Sequence, residues 1–206
     1  QLEYAFSESA DVKRLLDEAM ERFPQNIDIS SYAAFFASEK GDKKGAVKML
    51  HKTLKLCQKD EERSMIWGYI GDIYHEMGDD KQCFKAYDKA LAYNDENILV
   101  LNNYAYFLSL LDRELLIAMN YATTANKLSP NNATYLDTLA WVMHRVGSNE
   151  EAKRIMQQAL SIDGQRDPDL LAHYGDILWA LGEKFMAETY WKKAVERGYD
   201  SQRMEE

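Results

Sequence analysis

The chain repeats itself every 34 or 35 residues, and that spacing constrains its fold more than any other feature. The tripeptides Tyr69-Ile70-Gly71, Asn103-Tyr104-Ala105, Thr138-Leu139-Ala140 and His173-Tyr174-Gly175 align at steps of 34, 35 and 35 residues, with a weaker copy at Ala34, 37 residues before Gly71. With each Gly or Ala placed at position eight, repeats open at Ile27, Ser64, Ile98, Ala133 and Pro168. Position twenty then holds Ala46, Cys83, Ala118, Ala152 and Ala187, and position twenty-seven Thr53, Ala90, Ala125, Ala159 and Ala194. Position fifteen is Gly41, Gly78, Gly147 and Gly182, while the third repeat has Asp112 there and one extra residue. Apolar side chains recur at helical spacing, as in Leu101, Tyr104, Ala105 and Leu108, then Leu136, Leu139, Ala140 and Met143. Glycine at fifteen ends the first helix of each pair, because it enters the left-handed region without a Cβ penalty. Small residues at eight and twenty let two helices approach closely where bulk would clash. No single helix pair buries such faces; stacked neighbours do.

This pattern resembles the tetratricopeptide-repeat family across roughly residues 9–200. The family's large residue at position four is Trp67, Leu101, Leu136 and Leu171, with Ser30 the exception, and its closing proline remains only as Pro24 and Pro130. The resemblance implies an all-α fold, a right-handed α-solenoid of antiparallel helix hairpins running as one array over 1–206. Its parts are a leading half-repeat (1–26), five repeats (27–63, 64–97, 98–132, 133–167 and 168–201) and a tail (202–206). Val12, Leu16, Ala19 and Pro24 follow the second-helix pattern, and Gln1-Leu2-Glu3-Tyr4 has neither an initiator Met nor a basic leader. The start reads as trimmed, and unless a segment precedes it an open helix face is expected at that end. At the other end only a short polar tail follows the last helix.

Composition excludes several classes. The chain has 25 basic and 34 acidic residues, a formal charge of −9. That balance speaks against nucleic acid as a partner, since counterion release needs clustered Lys and Arg. An apolar content of 46 % rules out wholesale disorder. The absence of a long apolar run predicts no membrane insertion by this segment. Three prolines and ten glycines are too few turn signals for a strand-rich fold. Cys57 and Cys83 fit neither a disulfide framework nor a metal spacing, so two free thiols are expected, Cys83 in the core. Nothing here selects between cytoplasm and cell envelope.

There is no Gly-rich phosphate loop, no Gly-x-Ser-x-Gly elbow and no His-Glu-x-x-His. A non-enzyme without cofactor or metal is expected. His75, His144 and His173 fall one to a repeat and His51 on a second helix, which provides no close ligand pair.

In the family, one face of each first helix lines a concave groove. The resemblance places Tyr69, Asp72 and His75 there, followed by Asn102, Asn103, Tyr106, Asp137, Trp141, His144, Arg145, His173, Asp176 and Trp179. Rings mixed with amides and carboxylates suit a peptide surface. Asp72, Glu76, Asp137 and Asp176 against Arg145 predict a preference for basic or neutral ligands. Trp141 has a second reading: its string Asp137-Thr138-Leu139-Ala140-Trp141 recurs in bacterial members of the family, as a residue packed between neighbouring first helices does. Tyr106 and Trp179 carry the same two readings. The family's chaperone clamp needs basic residues that this chain lacks. Read from the second repeat, its positions hold Gly68, Asp72, Asn103, Thr134 and Thr138, and only Asn103 matches. The expected function is a non-catalytic protein–protein interaction module or scaffold that binds a peptide or protein through the groove. The alternatives are a self-associating array, a weak homo-oligomer through its repeat ends, and an accessory domain of a larger envelope-assembly or enzyme complex.

Overall fold

The structure, a computed structural model, describes residues 2–200, with side chains from residue 11 onward. The tail expected at 202–206 lies outside the described residues. Among the described residues the backbone forms eleven α-helices and no strand: α1 (Leu2–Arg22), α2 (Ile27–Glu39), α3 (Lys43–Thr53), α4 (Asp60–Glu76), α5 (Asp80–Tyr93), α6 (Ile98–Leu110), α7 (Leu115–Leu128), α8 (Ala133–Arg145), α9 (Asn149–Asp163), α10 (Pro168–Ala180) and α11 (Lys184–Glu196). The helix pairs α2/α3, α4/α5, α8/α9 and α10/α11 pack against each other.

The chain divides into two compact units, residues 1–100 and 101–206, with the boundary inside α6. In the first, Ala34, Ala46, Leu50, Ile66, Ile70 and Ile73 form the core. In the second, Leu136, Ala140, Ala152, Met156, Leu171, Ile177, Ala187 and Ala194 do so. All ten residues at positions twenty and twenty-seven are buried, none more than 1 % exposed.

Start signals are side chains that meet the otherwise unpaired first N–H groups. Asn26, Asp42, Asp79 and Asn132 each accept from the backbone N–H three residues on, at 2.9–3.2 Å. Four of the five repeat openings coincide with helix starts, but α4 begins at Asp60, four residues before Ser64. The cause is local. Asp60, Glu61 and Glu62 suit the positive end of a helix. The Glu62 carboxylate also accepts the Gln58 and Lys59 N–H groups at 2.7 and 3.1 Å.

Position eight and position twenty-four are matched in size. A Cβ on Gly71 or Gly175 would overlap the ring of Tyr87 or Trp191 respectively. Where Ala34 and Ala140 occupy position eight, the facing register holds Leu50 and Met156 instead. The third repeat departs at its turn. Asp112 takes the left-handed φ (50°) that glycine takes in the other turns, and after Arg113 a second left-handed residue, Glu114 (φ 47°), precedes α7.

Candidate interaction face

The second unit brings most of the expected groove residues into one side-chain layer on α6, α8 and α10. Its centre is buried. His173 on α10 places Nδ1 2.9 Å from Asp137 Oδ1 on α8, and the two residues are 5 % and 6 % exposed. Trp141, one turn beyond Asp137, stacks on the His173 ring at 4.3 Å between centroids, and Tyr106 of α6 lies at 6.0 Å from it. Burial alone would discharge His173. The Asp137 charge and hydrogen bond, with Asp176 and Asp169 beside it, outweigh burial and hold its pKa above the ordinary histidine value.

The rim is tied down by its neighbours. His144 sits 5.2 Å from Trp141 by centroid, with Nδ1 2.7 Å from Asn149 Oδ1. Arg145 lies over the same indole at 5.7 Å, and its guanidinium binds the Asp112 carboxylate through two nitrogens. Asp176 accepts the Trp191 indole N–H at 2.9 Å. Burial raises its pKa, opposed by that hydrogen bond and by His173 and His144. Trp179 is 45 % exposed, backed by Trp191 at 5.4 Å and by the Lys184 ammonium at 4.9 Å from its ring centroid.

Asn102 is buried and donates to Asn103 Oδ1 at 3.3 Å. Its own Oδ1, like Trp141 Nε1, has no hydrogen-bond partner among the described residues. Such a group costs about 1–3 kcal/mol.

In the first unit, Tyr69 meets Phe35 edge to face at 4.6 Å, and burial and then the Asp72 charge push its phenol pKa up. Asp72 accepts the Tyr87 hydroxyl hydrogen. His75 Nδ1 lies 3.6 Å from Asp80 Oδ1. Lys43 Nζ donates to the Glu76 carbonyl at 2.8 Å and approaches its carboxylate at 3.3 Å.

Asp72, Glu76, Asp137 and Asp176 each have a partner within the chain, but the donors to Asp72 and Asp176 are neutral, so these pairings leave their negative charge on the face. The Trp141 ring is buried and stacked on His173 of α10. Asn102, Asp137 and His173 are buried with it, while Trp179 remains open and Asn103, Tyr106, His144, Arg145 and Asp176 are half-buried. Sequence reasoning missed the link between Asp72 and Tyr87 and between Asp176 and Trp191. The signal was present: Gly-Asp at positions eight and nine occurs only in the two repeats with an aromatic donor fifteen residues after the aspartate. It also missed the exposed apolar turn of Leu110, Leu111, Leu116 and Ile117, of which Leu116 is 86 % exposed.

Among the described residues no helix is long and apolar enough to cross a membrane, and no three His, Cys, Asp or Glu side chains gather to hold a metal ion. Both cysteines are free and buried.

Residues 66–97 match the family model described as tetratricopeptide repeat. No curated protein matches the sequence. Among solved structures, PilF of Pseudomonas aeruginosa is similar at 21 % identity, over 86 % of this chain and 78 % of that one, with a TM-score of 0.71. PilW, described as a type IV pilus biogenesis factor, is similar at 20 % identity over 83 % and 77 %, TM-score 0.72. YrrB, described as a TPR protein with an unusual peptide-binding site, is similar at 18 % identity over 91 % and 94 %, TM-score 0.63. Residues 66–97 carry the sequence pattern of one tetratricopeptide repeat, and the helix pairs along the chain share the fold of tetratricopeptide-repeat proteins.

Proposed function

We propose that the chain is a non-catalytic scaffold that binds a protein partner, and that the second unit receives an extended segment of it on the α6–α8–α10 layer. The observation that carries this reading is the contrast within that layer. A rigid, buried base of Asp137, Trp141 and His173 supports an open Trp179 and half-buried Tyr106, Asn103 and His144. A pre-organised ring surface binds with little loss of side-chain entropy, and amides bond a main chain whatever its sequence. Repeat folds of this family generally serve as protein-interaction scaffolds. YrrB illustrates that the fold is compatible with peptide binding.

The test is selection of peptides from a displayed library on the whole chain, followed by binding to Trp179→Ala and Tyr106→Ala. The reading expects selected peptides to lose at least tenfold in affinity for both variants while melting is little changed. Selected peptides that bind both variants as they bind the parent chain would move the site elsewhere.

A further inference from the structure

The Asp137–His173 pair has a property that goes beyond partner binding. It spans two first helices, α8 and α10, thirty-six residues apart in sequence, and it is sealed from solvent. A carboxylate in that position needs a positive partner, because a buried charge left uncompensated is strongly destabilising. An imidazolium at His173 meets that need and also presents a cation to the Trp141 ring stacked on it. Ionisable groups close to the pair or to the Trp141 ring stacked on it include Tyr106 from α6, His144 and Arg145 from α8, and Asp169 and Asp176 from α10. Acids outnumber the fixed cation, and Arg145 is committed to Asp112.

We propose that Asp137 and His173 form a proton-loaded latch between α8 and α10, closed while His173 holds its proton and loosened when rising pH removes it. The raised histidine pKa agrees in direction. A group whose folded pKa lies above its unfolded value contributes its stability below the unfolded pKa and loses it as pH rises through the folded one. The latch therefore weakens above the ordinary histidine range of about 6.5, and α8 and α10 become freer to separate. Nothing in this depends on what the face binds.

Proton NMR of the four imidazoles in the whole chain tests it. His51 is an internal reference, since burial and then Lys89 push its pKa down. His173 is expected to titrate above about 6.5 and above His51. In Asp137→Asn the opposing charge is gone, burial dominates, and the His173 midpoint is expected to fall by at least one unit. In thermal melts the advantage of the parent chain over His173→Gln should shrink between about pH 6 and pH 9. A His173 midpoint at or below that of His51 would overturn the latch. So would a midpoint unmoved by Asp137→Asn, or an advantage over His173→Gln that does not change with pH. Should both variants fail to fold, the titration of the parent chain decides alone.

Discussion

The Trp191 indole N–H donates to the Asp176 carboxylate at 2.9 Å, and its ring fills the space that a side chain on Gly175 would need. Two neighbouring positions on α10 thus specify one residue on α11, by shape and by hydrogen bonding. Gly71, Asp72 and Tyr87 repeat the arrangement between α4 and α5. Gly175→Ala should cost on the order of 1–3 kcal/mol through overpacking. Adding Trp191→Met, the pairing of Ala140 with Met156, should recover part of that loss. A urea-denaturation double-mutant cycle measures the coupling, and strictly additive losses would deny it.

Ala140 is fully buried in the core of the second unit. Ala140→Leu should destabilise by about 1–3 kcal/mol, whereas Glu150→Leu, on the exposed start of α9, should change stability by less than about 0.5 kcal/mol. Equal melting temperatures would break the repeat register.

Asn102 pays for burial with an unpartnered oxygen. Asn102→Leu should therefore raise stability by about 1 kcal/mol, read as a higher denaturation midpoint at unchanged slope.

Glu114 holds a left-handed φ of 47° without being glycine, which costs about 1–2 kcal/mol. Glu114→Gly should be stabilising by up to about 1 kcal/mol once added chain entropy is set against relieved strain. Gly147→Ala, at a φ of 84°, should be destabilising by a similar amount. Opposite signs from the two variants are the outcome to look for in thermal melts.

Burial pushes the Cys83 thiol up to about 12. Since the thiolate is the reactive form, alkylation near neutral pH should modify Cys83 only as fast as the second helix of its repeat opens. Rapid labelling of the native chain would contradict the buried assignment.

The repeat and its register were legible because they rest on small residues, and a misplaced alanine or cysteine at position twenty would not be buried as all five are. Helix boundaries were legible where a cap stood at the expected residue, and α4 escaped because its start depends on Glu62 reaching back to Gln58 and Lys59. The interaction face was only half legible. Periodicity places Asp137, Trp141 and His173 on one side of their helices, but it does not tell whether a side chain ends in solvent or in the neighbouring helix. That depends on contacts thirty-six residues away, as His173 with Asp137. The partners of the carboxylates were hidden for the same reason: a formal charge in sequence carries no record of the Tyr87 hydroxyl or Trp191 indole that engages it.

The additional residue in the α6–α7 turn leaves Ala118, Ala122 and Ala125 fully buried. That turn therefore separates chain length from packing register. Length added around Arg113 need not be transmitted into the helices, provided Asp112 keeps its bond to Arg145. The molecule thus offers a natural seam there for inserting a reporter peptide or a fluorophore-bearing loop.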